Sequence, residues 1–129
     1  MNISQYSPRL SISGVCNILG RHGIEMRRTT IAHYVKVGVL PPPEGMHYTH
    51  EHVARLYIIA VLREVYSLAH ISKALDMAGT SMQQALGILE NGLAGCPAPS
   101  GPARALGLMA HSCAIKREAI GIVGETTNA

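Results

Sequence analysis

Three histidines, His47, His50 and His52, fall within the short stretch MHYTHEH. Imidazole is the commonest metal ligand in proteins, so the first chemistry this cluster raises is zinc binding. The spacing argues against a single ion. Two residues two positions apart on a helix project about 200° from each other, whereas a helical pair that grips zinc sits at i and i+4. No carboxylate or thiol stands at a supporting offset. The sequence therefore predicts no metal site. Near neutral pH the histidines instead add partial positive charge, which a neighbouring phosphate would enhance.

Catalytic chemistry has little to stand on. There is no P-loop, no Gly-x-Ser-x-Gly turn and no pair of carboxylates beside a base, and Asp76 is the single aspartate. The expectation is a protein that is not an enzyme and needs no cofactor. The three cysteines, Cys16, Cys96 and Cys113, lie far apart and form no Cys-x-x-Cys pair. An odd, scattered set fits a reducing compartment, with Cys16 and Cys113 expected as small buried hydrophobes and Cys96 in a linker.

Charge is more informative by position than in total. The net charge is +3 over 129 residues. Residues 1–66 carry seven Lys and Arg against four Glu, while residues 67–129 carry four of each sign. A basic half beside a neutral, aliphatic half points to one part facing a polyanion and another used for packing or assembly. No apolar run approaches the ~20 residues of a membrane span, and a signal-peptide core is not apparent, so a cytoplasmic protein is expected. With no Trp and no Phe, the core must be built from Leu, Ile, Val, Ala and Met with a few Tyr.

The elements that must position these residues read as helices. Ser11 or Ser13 can cap a first helix carrying Val15, Ile18 and Leu19, which Gly23 ends. Thr29 or Thr30 can cap a short second helix with Ile31, Tyr34 and Val35 inward. Gly38 and Pro41-Pro42-Pro43 stop it. The segment VLPPPEGMHY reads as two short extended pieces around Glu44-Gly45. Thr49 caps a third, mostly buried helix, and Ser67 caps a fourth that ends at Gly79. A Ser81…Gln84 capping box opens a fifth through Leu86, Leu89 and Leu93. GLAGCPAPSGP is a linker, Pro102 starts a last helix with Leu106, Met109, Cys113 and Ile120, and ETTNA reads as a frayed tail. The leucine and methionine stripe of these last helices suits either an interface or internal packing.

The run from Thr29 to Leu75 resembles the DNA-binding domain of the MerR family of bacterial transcription regulators. Thr30-Ile31…Tyr34 followed by Gly38-Val39-Leu40-Pro41 is similar to its recognition helix and exit turn. The Pro-rich segment ending at His47-Tyr48 is similar to its wing, and Val53-Ala54-Arg55-Leu56 with Ser67-Leu68…Ile71 to its next helices. The whole chain resembles more closely the bacterial family known as domain of unknown function 1836. The resemblance implies an all-α, MerR-like winged helix-turn-helix domain over residues 1–78 with a short hairpin wing. C-terminal helices over 79–129 then serve dimerisation or cover the core.

That resemblance also implies a homodimer that reads duplex DNA with the 29–37 helix and the 41–48 wing. A helix entering a major groove needs small or polar residues on its outward face and cations beside it. Arg27, Arg28, Thr29, Thr30, His33 and Lys36 meet that demand. Tyr34 is placed to bond a phosphate through its hydroxyl, and His47 and Arg55 complete the candidate DNA-binding set. Two departures from the MerR pattern, Ala32 in place of a basic residue and the short wing, favour an alternative. In it the fold survives as a protein–protein interaction module without DNA binding.

Overall fold

The structure, a computed structural model, describes residues 2–97 and 100–127, with the side chains of 125–127 excepted. A 3-10 turn at Ile3–Gln5 precedes six α-helices: α1 (Ile12–Arg21), α2 (Arg28–Lys36), α3 (His50–Leu62), α4 (Leu68–Ala78), α5 (Met82–Leu93) and α6 (Arg104–Thr127). Among the described residues the regular structure is therefore all-helical, as expected.

Short polar side chains set most of the starts. The Ser11, Ser67 and Ser81 hydroxyls accept from the amides of Gly14, His70 and Gln84, each satisfying a donor the helix itself cannot. α4 stops at Gly79, whose φ of +60° is cheap only for glycine.

α2 departs from the expected start. Arg27, not Thr29 or Thr30, occupies the N-cap, because its carbonyl already accepts from the amides of Thr30 (3.1 Å) and Ile31 (3.2 Å). Both threonines are thereby drawn into the first turn.

The expected pair of extended pieces is also reduced. Among the described residues there is no β-ladder, only the isolated bridges Glu44–His47 and Leu10–Tyr48. Three consecutive prolines lack the amides a ladder needs. What remains is a tight turn in which Glu44 and His47 exchange both backbone bonds, at 2.8 and 3.0 Å. Tyr48 and Leu10 do the same at its base, at 2.8 and 2.9 Å, fixing the loop to the segment before α1.

α3 is the hub. Val53, Ala54, Leu56, Ile58, Ile59, Val61 and Leu62 are all buried, so apolar contact surrounds the helix. One hydrophobic cluster runs from Ile3 to Cys113 and joins α1 and α2 to α5 and α6. Leu86, Leu89, Leu106 and Met109 lie inside it, so that part of the C-terminal stripe is internal packing; Leu93 packs against its edge and Ile120 is exposed. Glu51, in the first turn of α3, accepts from the Met82 amide at 2.8 Å and so caps α5 from a distant part of the chain.

α6 starts at Arg104, two residues after Pro102, following a turn in which the Arg104 amide bonds the Gly101 carbonyl at 3.2 Å. It is longer than expected. Its helical backbone continues through 125–127 into the segment read as a tail, while 98–99 of the linker and 128–129 of the tail lie outside the described residues. Among the described residues no helix is long and apolar enough to cross a membrane.

Candidate nucleic-acid interface

α2 separates into two faces. Ile31 and Tyr34 are buried, while Thr29, Ala32, His33 and Lys36 are exposed at the i, i+3, i+4, i+7 spacing of one outward stripe. Arg27 and Arg28 stand exposed at its N-terminal end. Arg28 donates to the Ser13 hydroxyl, which ties α2 to α1. Arg27 offers no side-chain cap, so the first amides of α2 carry their partial positive charge unquenched by a cap.

The remaining candidates divide. His47 is exposed in the turn that follows the prolines, beside a tip formed by Gly45 (φ +63°) and Met46, which is 87 % exposed. Glu44 is exposed in the same turn and opposes the positive charge nearby. Thr30 is half-buried and Tyr34 is 9 % exposed. No described residue partners the Tyr34 hydroxyl; its recorded contact is a tilted one with the His33 ring, 6.3 Å between centroids. Arg55 is engaged internally. Its Nε donates to the Val39 carbonyl at 2.5 Å, and its Nη2 lies 3.7 Å from the Asp76 carboxylate.

The histidine cluster separates into different jobs. His50 Nε2 donates to the Tyr6 carbonyl at 2.8 Å, pinning the N-terminal segment. His52 is buried and uses both nitrogens. Nδ1 accepts from the Thr49 amide at 3.0 Å in a capping box, and Nε2 donates to the carbonyls of Pro41 (3.0 Å) and Pro42 (3.2 Å). These bonds fix the Nε2–H tautomer. A ring so used has no lone pair left for a metal. Among the described residues no group of three or more His, Cys, Asp or Glu is arranged to hold a metal ion.

Sequence reasoning passed over Arg63. It sits just after α3, exposed, and lines a cleft of about 410 Å³ together with Arg27, Thr30 and Tyr34. Helical periodicity sorts residues around one helix and says nothing of which residues from different elements share a cavity, so only the fold brings Arg63 and Arg27 together.

No curated protein and no solved structure matches the chain. A family match does exist and covers more than half of it: over residues 11–91 the chain belongs to the family described as a domain of unknown function, DUF1836.

Proposed function

We propose that the protein is a MerR-like, winged helix-turn-helix regulator that binds duplex DNA, with α2 in the major groove and the 41–48 loop as a reduced wing. The observation that carries this reading is the outward stripe Thr29, Ala32, His33, Lys36 flanked by Arg27 and Arg28. A stripe of small and polar side chains lets a helix approach base edges, and the adjacent cations meet phosphates. Ala32 supports close approach even as it removes a charge.

The same reading includes a homodimer, since paired half-sites follow from two-fold symmetry. α6 supplies a surface for it. Leu108, Ser112, Ile115 and Ala119 recur at alternating spacings of four and three, the seam spacing of a coiled coil. Leu108 is 41 % and Ile115 52 % exposed, on a different side of α6 from its core residues Leu106, Met109 and Cys113.

Binding to mixed-sequence duplex DNA at two salt concentrations tests the proposal. Affinity should fall steeply with salt, and the double substitution Arg27→Ala with Arg28→Ala should lower both affinity and slope. Absence of binding at low salt by folded protein sinks the proposal. It would instead favour the interaction-module reading, to which the exposed apolar side chains of Val37 and Met46 lend themselves.

A further inference from the structure

The cleft beside the start of α2 has a composition suited to a particular ligand chemistry. Arg27 comes from the N-cap of α2 and Arg63 from the end of α3, so two arginines from separate elements line one cavity. Among the described residues neither makes an ion pair or a side-chain hydrogen bond. Other arginines are engaged: Arg28 with Ser13, Arg55 with Val39 and Asp76, and Arg117 with Glu64. Glu25 also lines the cleft and forms no ion pair with either guanidinium, leaving both available.

Neutral donors stand beside the charges. Tyr34 is nine-tenths buried at the cleft with its hydroxyl unpartnered, and Thr30 adds a second hydroxyl. The Tyr34 ring is packed in place while its hydroxyl is not one of the buried unpartnered atoms, so it stands open to the cleft and can donate to an acceptor there. Two fork-shaped cations with two hydroxyl donors match the oxygens of a phosphoryl group, which accepts several hydrogen bonds and carries charge. The open amides at the start of α2 favour the same sign of charge. Ile24 and Ala60 add apolar walls, and a volume of about 410 Å³ leaves room beyond the phosphate for the body that carries it.

We propose that this cleft binds a phosphoryl group, held by Arg27 and Arg63 with Thr30 and Tyr34 as hydroxyl donors. The group could arrive on a small phosphomonoester or as a backbone phosphate of a nucleic acid. The assignment does not rest on the duplex-binding reading, although Arg27 serves both.

Amide chemical shifts of the whole protein, followed while adenosine 5′-monophosphate, adenosine or inorganic phosphate is added, test the site. A duplex titration forms the fourth arm. Adenosine 5′-monophosphate should move the amides of Thr30, Ala60 and Arg63, and adenosine should not. Arg63→Ala should weaken that binding roughly tenfold, and Arg63→Lys should restore part of it. If only the duplex moves these amides, and Arg63→Ala lowers its affinity alike for all sequences, the phosphoryl group belongs to a nucleic-acid backbone and the site stands. If no phosphate-bearing probe moves them, or Arg63→Ala changes nothing, the site is overturned. Loss of duplex binding in the Arg27/Arg28 variant alongside a silent Arg63→Ala would retain the regulator and discard the cleft. Mononucleotide binding without duplex binding would do the reverse.

Discussion

Gly92 of α5 lies against the carbonyl of Gly107 in α6: a Cβ placed on Gly92 would fall 2.5 Å from that oxygen and 2.7 Å from the Ala110 Cβ. One atom met is backbone and the other is a short, fixed stub, so neither can swing aside. The two helices must separate to admit a methyl group, and Leu106 and Ala110 are fully buried at that crossing. Gly92→Ala should therefore destabilise the protein by about 1–3 kcal/mol, the usual cost of overpacking. Gly20, at an exposed position of α1 with nothing within 4 Å of its added Cβ, is the internal control. Gly20→Ala should stabilise by roughly 0.5–1 kcal/mol through helix propensity. Urea denaturation of the two variants measures both signs, and equal effects would contradict the close crossing.

The three clustered histidines should differ sharply in their contribution to stability. His52→Ala removes the acceptor of the Thr49 amide and the donor to Pro41 and Pro42 at a buried position. Leaving such groups unsatisfied costs about 1–3 kcal/mol. His47 is exposed, and its side chain makes no hydrogen bond with a described residue, so His47→Ala should stay within about 0.5 kcal/mol of the wild type. Denaturant midpoints for the pair check this. Similar losses for both would mean that the loop is not held through His52.

How far the sequence speaks follows from the range of each interaction. Ser11, Ser67 and Ser81 act on amides three residues away, so their caps are legible in the chain itself. The inward stripes Val15-Ile18-Leu19 and Ile71-Ala74-Leu75 are legible for the same reason. His52 is not, because its partners Pro41 and Pro42 lie eleven and ten residues back and meet it only when the loop closes. Glu51 capping α5 across 31 residues, and Arg55 bonding Val39, are likewise products of packing. The outward face of α2 is legible by the same spacing, with Thr29, His33 and Lys36 exposed. The cleft shared by Arg27 and Arg63 needed the fold.

Thiol chemistry offers a third check. Cys113 is buried, with its Sγ 3.9 Å from the Val61 carbonyl, whereas Cys96 is exposed in the linker and Cys16 is half-buried. Burial pushes the Cys113 thiol up from its ordinary range, only partly offset by the nearby Arg117 charge. The thiolate is the nucleophile, so both access and ionisation protect Cys113. Under native conditions iodoacetamide should modify Cys96 first and Cys113 last, at a rate that rises only when α6 opens. Mass spectrometry of partially labelled protein reads the order. Early labelling of Cys113 would mean that α6 is not seated on α3.

Arg117 of α6 clasps Glu64, just beyond α3, with Nε to Oε2 at 3.0 Å and Nη2 to Oε1 at 3.2 Å, while Lys116 bonds the Glu64 carbonyl at 2.9 Å. Hydrogen bonding from Arg117, more than its charge alone, holds the Glu64 carboxyl below its ordinary value of 4.5. A carboxyl with a depressed folded-state value stabilises the fold above its unfolded value, and that stability is lost as pH falls through the lower folded value. The two side chains are 47 % and 48 % exposed, so solvent screening keeps the contribution below about 1 kcal/mol. Arg117→Ala should accordingly lower stability slightly at pH 7. The gap to the wild type should shrink below pH 4.5 and also close in high salt. Urea midpoints at pH 7 and pH 3, with and without added salt, measure the change. A gap that stays unchanged on acidification would show that Arg117 supports α6 through packing of its stem rather than through Glu64.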